Sequence, residues 1–274
     1  MRIIEPQRKN KTKLSLKLIV FVFVIIGTIT LFSVIIFENK DKKNGVVSTN
    51  SQSSKVDTNT VLGNKAKIQQ YSNQQFKDIY ESTAFPNTKE LLKPPEITGI
   101  VSIDNQIQNE AEKRGYKLRS IADLPIAKTS TNDDLQQKAV APWEEMKNVA
   151  KQDGITLKIL AGFRSVEQQR ALFINELNKY GFSTTSTVNN NQAINKALNR
   201  VAPPGYSRHH TGYTIDISCP NEPNYIFEKS TCFAWLSKNN YENTKKFGWI
   251  PSYPKGADMQ GPEPEPWEYV WVGL

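Results

Sequence analysis

The longest uniform stretch in the hydropathy pattern is Leu18 to Phe37, twenty residues without a charge. As a helix it would be about 30 Å long, close to the hydrocarbon thickness of a bilayer. The pattern therefore predicts a transmembrane signal anchor over residues 18–37 behind a basic head over 1–17. A cleaved signal peptide is the rival reading. Its apolar core is usually shorter and ends at small residues, whereas this run ends Val-Ile-Ile-Phe-Glu-Asn-Lys. Residues 38–96 read as a flexible extracytoplasmic tether. Its first half is rich in Ser, Thr, Asn and Lys and cannot bury enough apolar surface to fold. A short helix fits over Lys65 to Tyr80, and Pro86, Pro94 and Pro95 then interrupt the chain.

From residue 97 to 274 the pattern changes to alternating helix and strand signals, which predict one folded domain. Asp104 to Arg114 reads as a helix with Asp104 as its cap and Gly115 as its stop; Pro142 to Gln152 is a second. Ile155 to Leu160 alternates as a strand does. A third helix starts at the Ser165/Gln168 capping box and ends at Gly181. A short helix near Gln192 to Asn199, a strand over Gly212 to Ser218, a helix over Thr231 to Lys238 and an aromatic strand in "WEYVWVG" complete the series. The intervals hold few regular crossover units. The expected fold is therefore α+β, a small antiparallel sheet with flanking helices, preceded by one transmembrane helix.

Charge alters this picture little. The net charge is +8, but residues 1–43 hold nine Lys/Arg against three acids, so the remainder is nearly neutral. That argues against a nucleic-acid partner. The positive residues ahead of the apolar run keep the N-terminus cytoplasmic and place the domain outside, at the cell membrane. Cys219 and Cys232 suit that side, where an oxidising compartment would join them, with two unpaired buried thiols as the alternative.

The chemistry concentrates in "SRHHTGYTID", which holds both histidines of the chain. Zinc accepts imidazole nitrogen and carboxylate oxygen. His209 in a loop and Asp216 in the following strand can converge on one ion, with Gly212 allowing the bend. His209 and His210 do not ligate together, because neighbouring side chains in an extended chain point apart. By itself His-x6-Asp is also compatible with a capped turn. There is no H-E-x-x-H and no P-loop. Ser252-Tyr-Pro-Lys255 matches Ser-x-x-Lys, but Pro254 opposes the helix that such a lysine needs.

Three ordered motifs carry a resemblance over roughly residues 100–274. They are Ala161-Gly162-Phe163-Arg164-Ser165 with Gln169, Ser207-x-His209-x-x-Gly212-x-Thr214-x-Asp216, and Glu265-Pro266-Trp267-Glu268. Together they resemble the VanY-type D-alanyl-D-alanine carboxypeptidases, zinc peptidases grouped with lysostaphin and hedgehog. Thr214 stands where that family has Ala. The resemblance implies one zinc ion on His209, Asp216 and the residue at 268. It implies Glu265 as general base, and Arg164 gripping a peptide carboxylate with Ser207 and Gln169 as nearby donors. The implied partner is a peptidoglycan stem peptide ending in D-Ala-D-Ala.

At 268 the family has a histidine and this chain has glutamate. Glu268 could ligate zinc, the site could take an ion that prefers oxygen, or it could be degenerate. Two carboxylates would neutralise the ion and make its bound water a weaker acid. The expected function is a membrane-anchored metallopeptidase trimming stem peptides, with a catalytically degenerate peptide-binding module as the alternative.

Overall fold

The computed structural model describes residues 69–185, 190–220, 222 and 224–273. The basic head, the apolar run 18–37 and the tether as far as residue 68 lie outside them. No described helix is long and apolar enough to cross a membrane.

The described part is a mixed helix-and-sheet unit, as expected. Its elements are α1 (Asn73–Ser82), β1 (Thr88–Lys89), α2 (Val101–Lys113), β2 (Ile121–Ala122), β3 (Ala127–Lys128), β4 (Asp134–Leu135), α3 (Gln137–Gln152), β5 (Lys158–Ala161), α4 (Val166–Lys179), α5 (Asn190–Arg200), β6 (Thr214–Ser218), α6 (Thr231–Lys245), β7 (Trp249–Tyr253) and β8 (Glu265–Trp271). The main sheet runs β5-β6-β8-β7 and every pairing in it is antiparallel. The short pairs β1–β2 and β3–β4 are antiparallel too.

Side-chain alternation divides the central strand β6. Ile215 and Ile217 enter a core with Trp143 and Met146 of α3, Trp249 and Ile250 of β7, and Tyr269 of β8. Thr214, Asp216 and Ser218 therefore face the other way. On α3 the buried residues Ala139, Trp143, Met146 and Ala150 recur at helical spacing and form the stripe that covers the sheet. A second core joins Ile107 and Ala111 of α2, Phe173 and Leu177 of α4, and Ile194 and Leu198 of α5.

Several boundaries differ from the sequence reading. Residues 73–96 are not tether: α1 opens on a capping box at Ser72 and buries Phe76 and Tyr80 in the main core, so the folded unit reaches well before residue 97. Its two aromatics, four apart, outweigh a composition that is otherwise polar. Asp104 does not cap α2, which begins three residues earlier. Its carboxylate instead accepts from the amides of Ile97 and Thr98 and from the Thr98 hydroxyl. α3 starts at Gln137, with Pro142 inside it. The carbonyl that Pro142 cannot serve belongs to the exposed Lys138, where water can reach it. α6 breaks where a helix end was expected, at Lys238, and resumes beyond the left-handed Asn239, Asn240 and Tyr241. Cys219 and Cys232 form a disulfide.

Candidate metal centre

His209, Asp216 and Glu268 reach one place from two strands and a turn. Ser207 caps a 3-10 turn over Arg208–Thr211 by accepting from the His209 amide at 3.3 Å. Gly212 closes that turn at φ 74°, a left-handed conformation natural to glycine. The next residues enter β6, and Asp216 lies directly opposite Glu268 of β8 in the antiparallel register. Directly opposed residues share a face and bring their side chains together. His209 Nε2 stands 3.4 Å from Asp216 Oδ1 and 3.3 Å from Glu268 Oε2. One donor atom from each of the three lies within 4.8 Å of the others.

The ring of His209 is held in one orientation. Its Nδ1 lies 2.7 Å from the Gly162 carbonyl, to which it donates, so Nε2 is the nitrogen turned toward the two carboxylates. Gly162 is needed where it is, because a Cβ there would come within 2.3 Å of the Asp134 carbonyl oxygen. The Gly-Phe-Arg motif thus builds a turn whose backbone supports the histidine.

Electrostatically the cluster demands a positive charge. Two carboxylates, that of Glu268 buried and that of Asp216 partly buried, face each other across adjacent strands, and Asp216 Oδ1 has no hydrogen-bond partner. Burial alone would lower the His209 pKa. The charge of Asp216 and the nearby Glu268 carboxylate override burial and raise it to about 10. One nitrogen and two carboxylate oxygens converging on a partnerless, buried position are a donor set that zinc accepts. His210 differs altogether. Its Nδ1 meets the Arg164 carbonyl at 2.7 Å and its Nε2 accepts from the Gly205 amide at 3.0 Å. Burial pushes its pKa down to about 4, so it is a neutral structural residue.

Glu265 and Glu268 line the same cleft although they are three apart on one strand. In a regular strand, residues three apart face opposite sides. Here the ladder is irregular: Tyr253 pairs with Glu265 while Pro251 pairs with Tyr269, so β8 carries extra residues between the two pairs. The break in even pairing frees this stretch from regular alternation, and Glu265 lines the same cleft as Glu268. Burial, and then the charges of Glu268 and Asp216, raise the Glu265 pKa well above the usual carboxylate range.

Arg164 also lines the cleft, with its guanidinium 3.7 Å from Asp216 Oδ2 and 20% exposed. Gln169 has a different part from that expected of it. Its oxygen accepts from Arg164 at 2.8 Å and its amide donates to the Ala202 carbonyl at 2.6 Å, so it aims the arginine. Ser207 lines the cleft while its oxygen caps the turn. The cleft holds about 160 Å³, room for a few waters or a small residue. Leu172, Arg200, Val201 and Ala202 are also in its wall and were not foreseen, because no local pattern marks them.

Behind the cleft lies a charged cluster that the sequence also did not suggest. Glu81 of α1 takes a bidentate pair from Arg119 at 2.9 and 3.0 Å and sits 3.2 Å from Lys117 and 3.6 Å from Arg208. Burial would raise the Glu81 pKa, but Arg119, Arg208 and Lys117 together bring it down to about 2. A folded pKa below the ordinary value stabilises the fold above about pH 4.5, and the contribution is lost as pH falls toward 2. Urea unfolding should show Glu81→Gln less stable than the native chain by about 3 kcal/mol near neutrality, with the gap closing as pH falls through that window.

The profile of the VanY family, described as D-alanyl-D-alanine carboxypeptidase, matches residues 132–274. The putative carboxypeptidase YodJ of Bacillus subtilis (strain 168) is 32% identical over 143 residues, 51% of this chain and 46% of that protein. A D-alanyl-D-alanine carboxypeptidase of Enterococcus faecalis (strain ATCC 700802 / V583) is 26% identical over 153 residues, 56% of this chain and 53% of that one. The chain thus spans about half the length of these curated relatives. Among solved structures, a variant of the vancomycin resistance D,D-pentapeptidase VanY in complex with Zn(II) is 24% identical. It aligns with a TM-score of 0.43 over 55% of this chain and 80% of that one. With the profile match covering more than half of its residues, the chain belongs to the VanY D-alanyl-D-alanine carboxypeptidase family.

Proposed function

We propose that this protein is a zinc metallopeptidase that hydrolyses peptidoglycan stem peptides, removing a terminal D-alanine. The observation that carries the proposal is the register of β6 and β8, which sets Asp216 opposite Glu268 with His209 Nε2 between 3.3 and 3.4 Å from both. His209, Asp216 and Glu268 would hold the ion. When bound, zinc supplies Lewis-acid polarisation of the scissile carbonyl and acidifies a water. Glu265 would accept a proton from the attacking water and deliver it to the leaving amine. Burial, and then the charges of Glu268 and Asp216, raise its proton affinity, which suits a group that must take up that proton, and a cation beside it opposes those charges. Arg164, held by Gln169, pairs with the carboxylate of the terminal residue by charge-assisted hydrogen bonds.

Location is part of the proposal. The apolar run 18–37 anchors the chain with its N-terminus in the cytoplasm, and the folded unit works outside, near the membrane face of the wall. The Cys219–Cys232 disulfide supports an oxidising compartment.

The test is direct. Purified full-length chain is incubated with a pentapeptide ending in D-Ala-D-Ala, and the products are weighed by mass spectrometry. Loss of one alanine is expected, stopped by a chelator and restored by zinc. Peptide binding without cleavage, indifferent to the chelator, would instead identify a peptide-binding module.

A further inference from the structure

Arg208 is fully buried, an unusual place for a cation. Its guanidinium carbon lies 3.9 Å from the ring centres of both Tyr80 and Tyr253, which sandwich it. Nη1 donates to the Ser252 carbonyl and, at 3.1 Å, to Ser252 Oγ. An arginine cannot accept, so the single proton of Ser252 goes elsewhere. It goes to Glu268 Oε1 at 2.5 Å. The other oxygen of that carboxylate, Oε2, is the one that faces His209. The direction of every hydrogen bond from Arg208 to Glu268 is therefore fixed by chemistry.

We propose that Arg208 and Ser252 are positioning residues that fix Glu268 as the third metal ligand, and that α1 completes the device by holding Arg208 through Tyr80 and Glu81. The inference rests on the metal-centre reading given above and deepens it. A carboxylate at 268 differs from an imidazole in two respects. It can rotate to offer either oxygen, and it brings a second negative charge to the ion. Ser252 engages one oxygen and leaves the other for the metal. Arg208, polarising Ser252 from behind, places a buried positive charge on the side away from the ion and offsets part of the added negative charge. Two further facts fit a positioning role. Arg208 Nε and Nη2 lack hydrogen-bond partners, a cost that needs a reason when the group is buried. And the chain brings α1, outside the residues matched by the family profile, to the back of the site to supply Tyr80 and Glu81.

The experiment titrates zinc into the full-length chain against chromophoric chelators of graded strength, with far-UV circular dichroism confirming the fold of each variant. Ser252→Ala should weaken zinc binding about 10- to 100-fold, and Ser252→Thr, which keeps the hydroxyl, should recover most of it. Arg208→Lys, which keeps the charge but loses the fork, should weaken binding on the native background. On the Ser252→Ala background it should change binding less than about twofold, because both act through one hydrogen-bonded chain. On a Glu268→Ala background, Ser252→Ala should have no further effect. Zinc bound equally by the native chain and Ser252→Ala would overturn this inference and leave the metal centre standing. A loss from Ser252→Ala that persists without Glu268 would overturn it as well, since the hydroxyl would then act elsewhere. A native chain that binds no zinc would overturn the metal-centre reading itself.

Discussion

Replacing Glu265 by glutamine should lower the rate of D-alanine release by 10²- to 10⁴-fold, the usual contribution of a general acid–base group, while zinc content stays at the native level. The two halves of this expectation have separate origins. Glu265 lines the cleft but is not among the three groups whose donor atoms lie within 4.8 Å of one another, so its loss leaves the ion's ligands in place. Glutamine keeps the shape and the bulge of β8 but cannot take a proton. Metal analysis beside a peptide-cleavage assay reads both quantities from one preparation. If zinc were lost together with activity, Glu265 would be a ligand and the roles assigned to Glu265 and Glu268 would have to be exchanged.

The second large effect concerns Glu268 and has opposite signs in two states. Without metal, Glu268→Gln removes one of two carboxylates that oppose each other across the β6–β8 register and relieves their like-charge repulsion. Melting of the zinc-free variant should therefore occur no lower than that of the native chain. With metal the order reverses. Zinc at 100 times its Kd stabilises the native fold by about 2.7 kcal/mol, roughly 5–10 °C in melting temperature for a unit of this size. Glu268→Gln should lose nearly all of that shift. Thermal melts of both proteins with and without zinc decide the matter. A variant that melts lower without zinc yet keeps the zinc shift would show Glu268 to be a structural residue.

The parts of this site that sequence could reveal were those lying within short motifs. His209 and Asp216 fall within one ten-residue stretch, and Glu265 and Glu268 within one tetrapeptide. Their convergence needed only the pairing of two strands. The capping box at Ser165 was legible for the same reason, since its two hydrogen bonds span three residues. Arg208 and Ser252 were opaque because they meet across 44 positions, and Glu81 meets Arg208 from a segment whose polar composition reads as tether. Ser252 was noticed only inside a Ser-x-x-Lys match, which Pro254 argued against. Gln169 was expected to meet the substrate. Only the structure shows both ends of its amide already engaged, one on Arg164 and one on the chain after α5.

The irregular ladder between β7 and β8 has a practical corollary for anyone transplanting this chemistry. Copied into an evenly pleated ribbon, Glu-Pro-Trp-Glu would send its two acids to opposite sides of the host, one of them into solvent. Pro266, which has no amide hydrogen to offer a neighbouring strand, sits where the deviation occurs and disfavours a return to even pairing. A graft of this tetrapeptide must therefore bring along the adjoining β7 segment that accommodates the extra length, or the acid–base group and the ligand will never share a chamber.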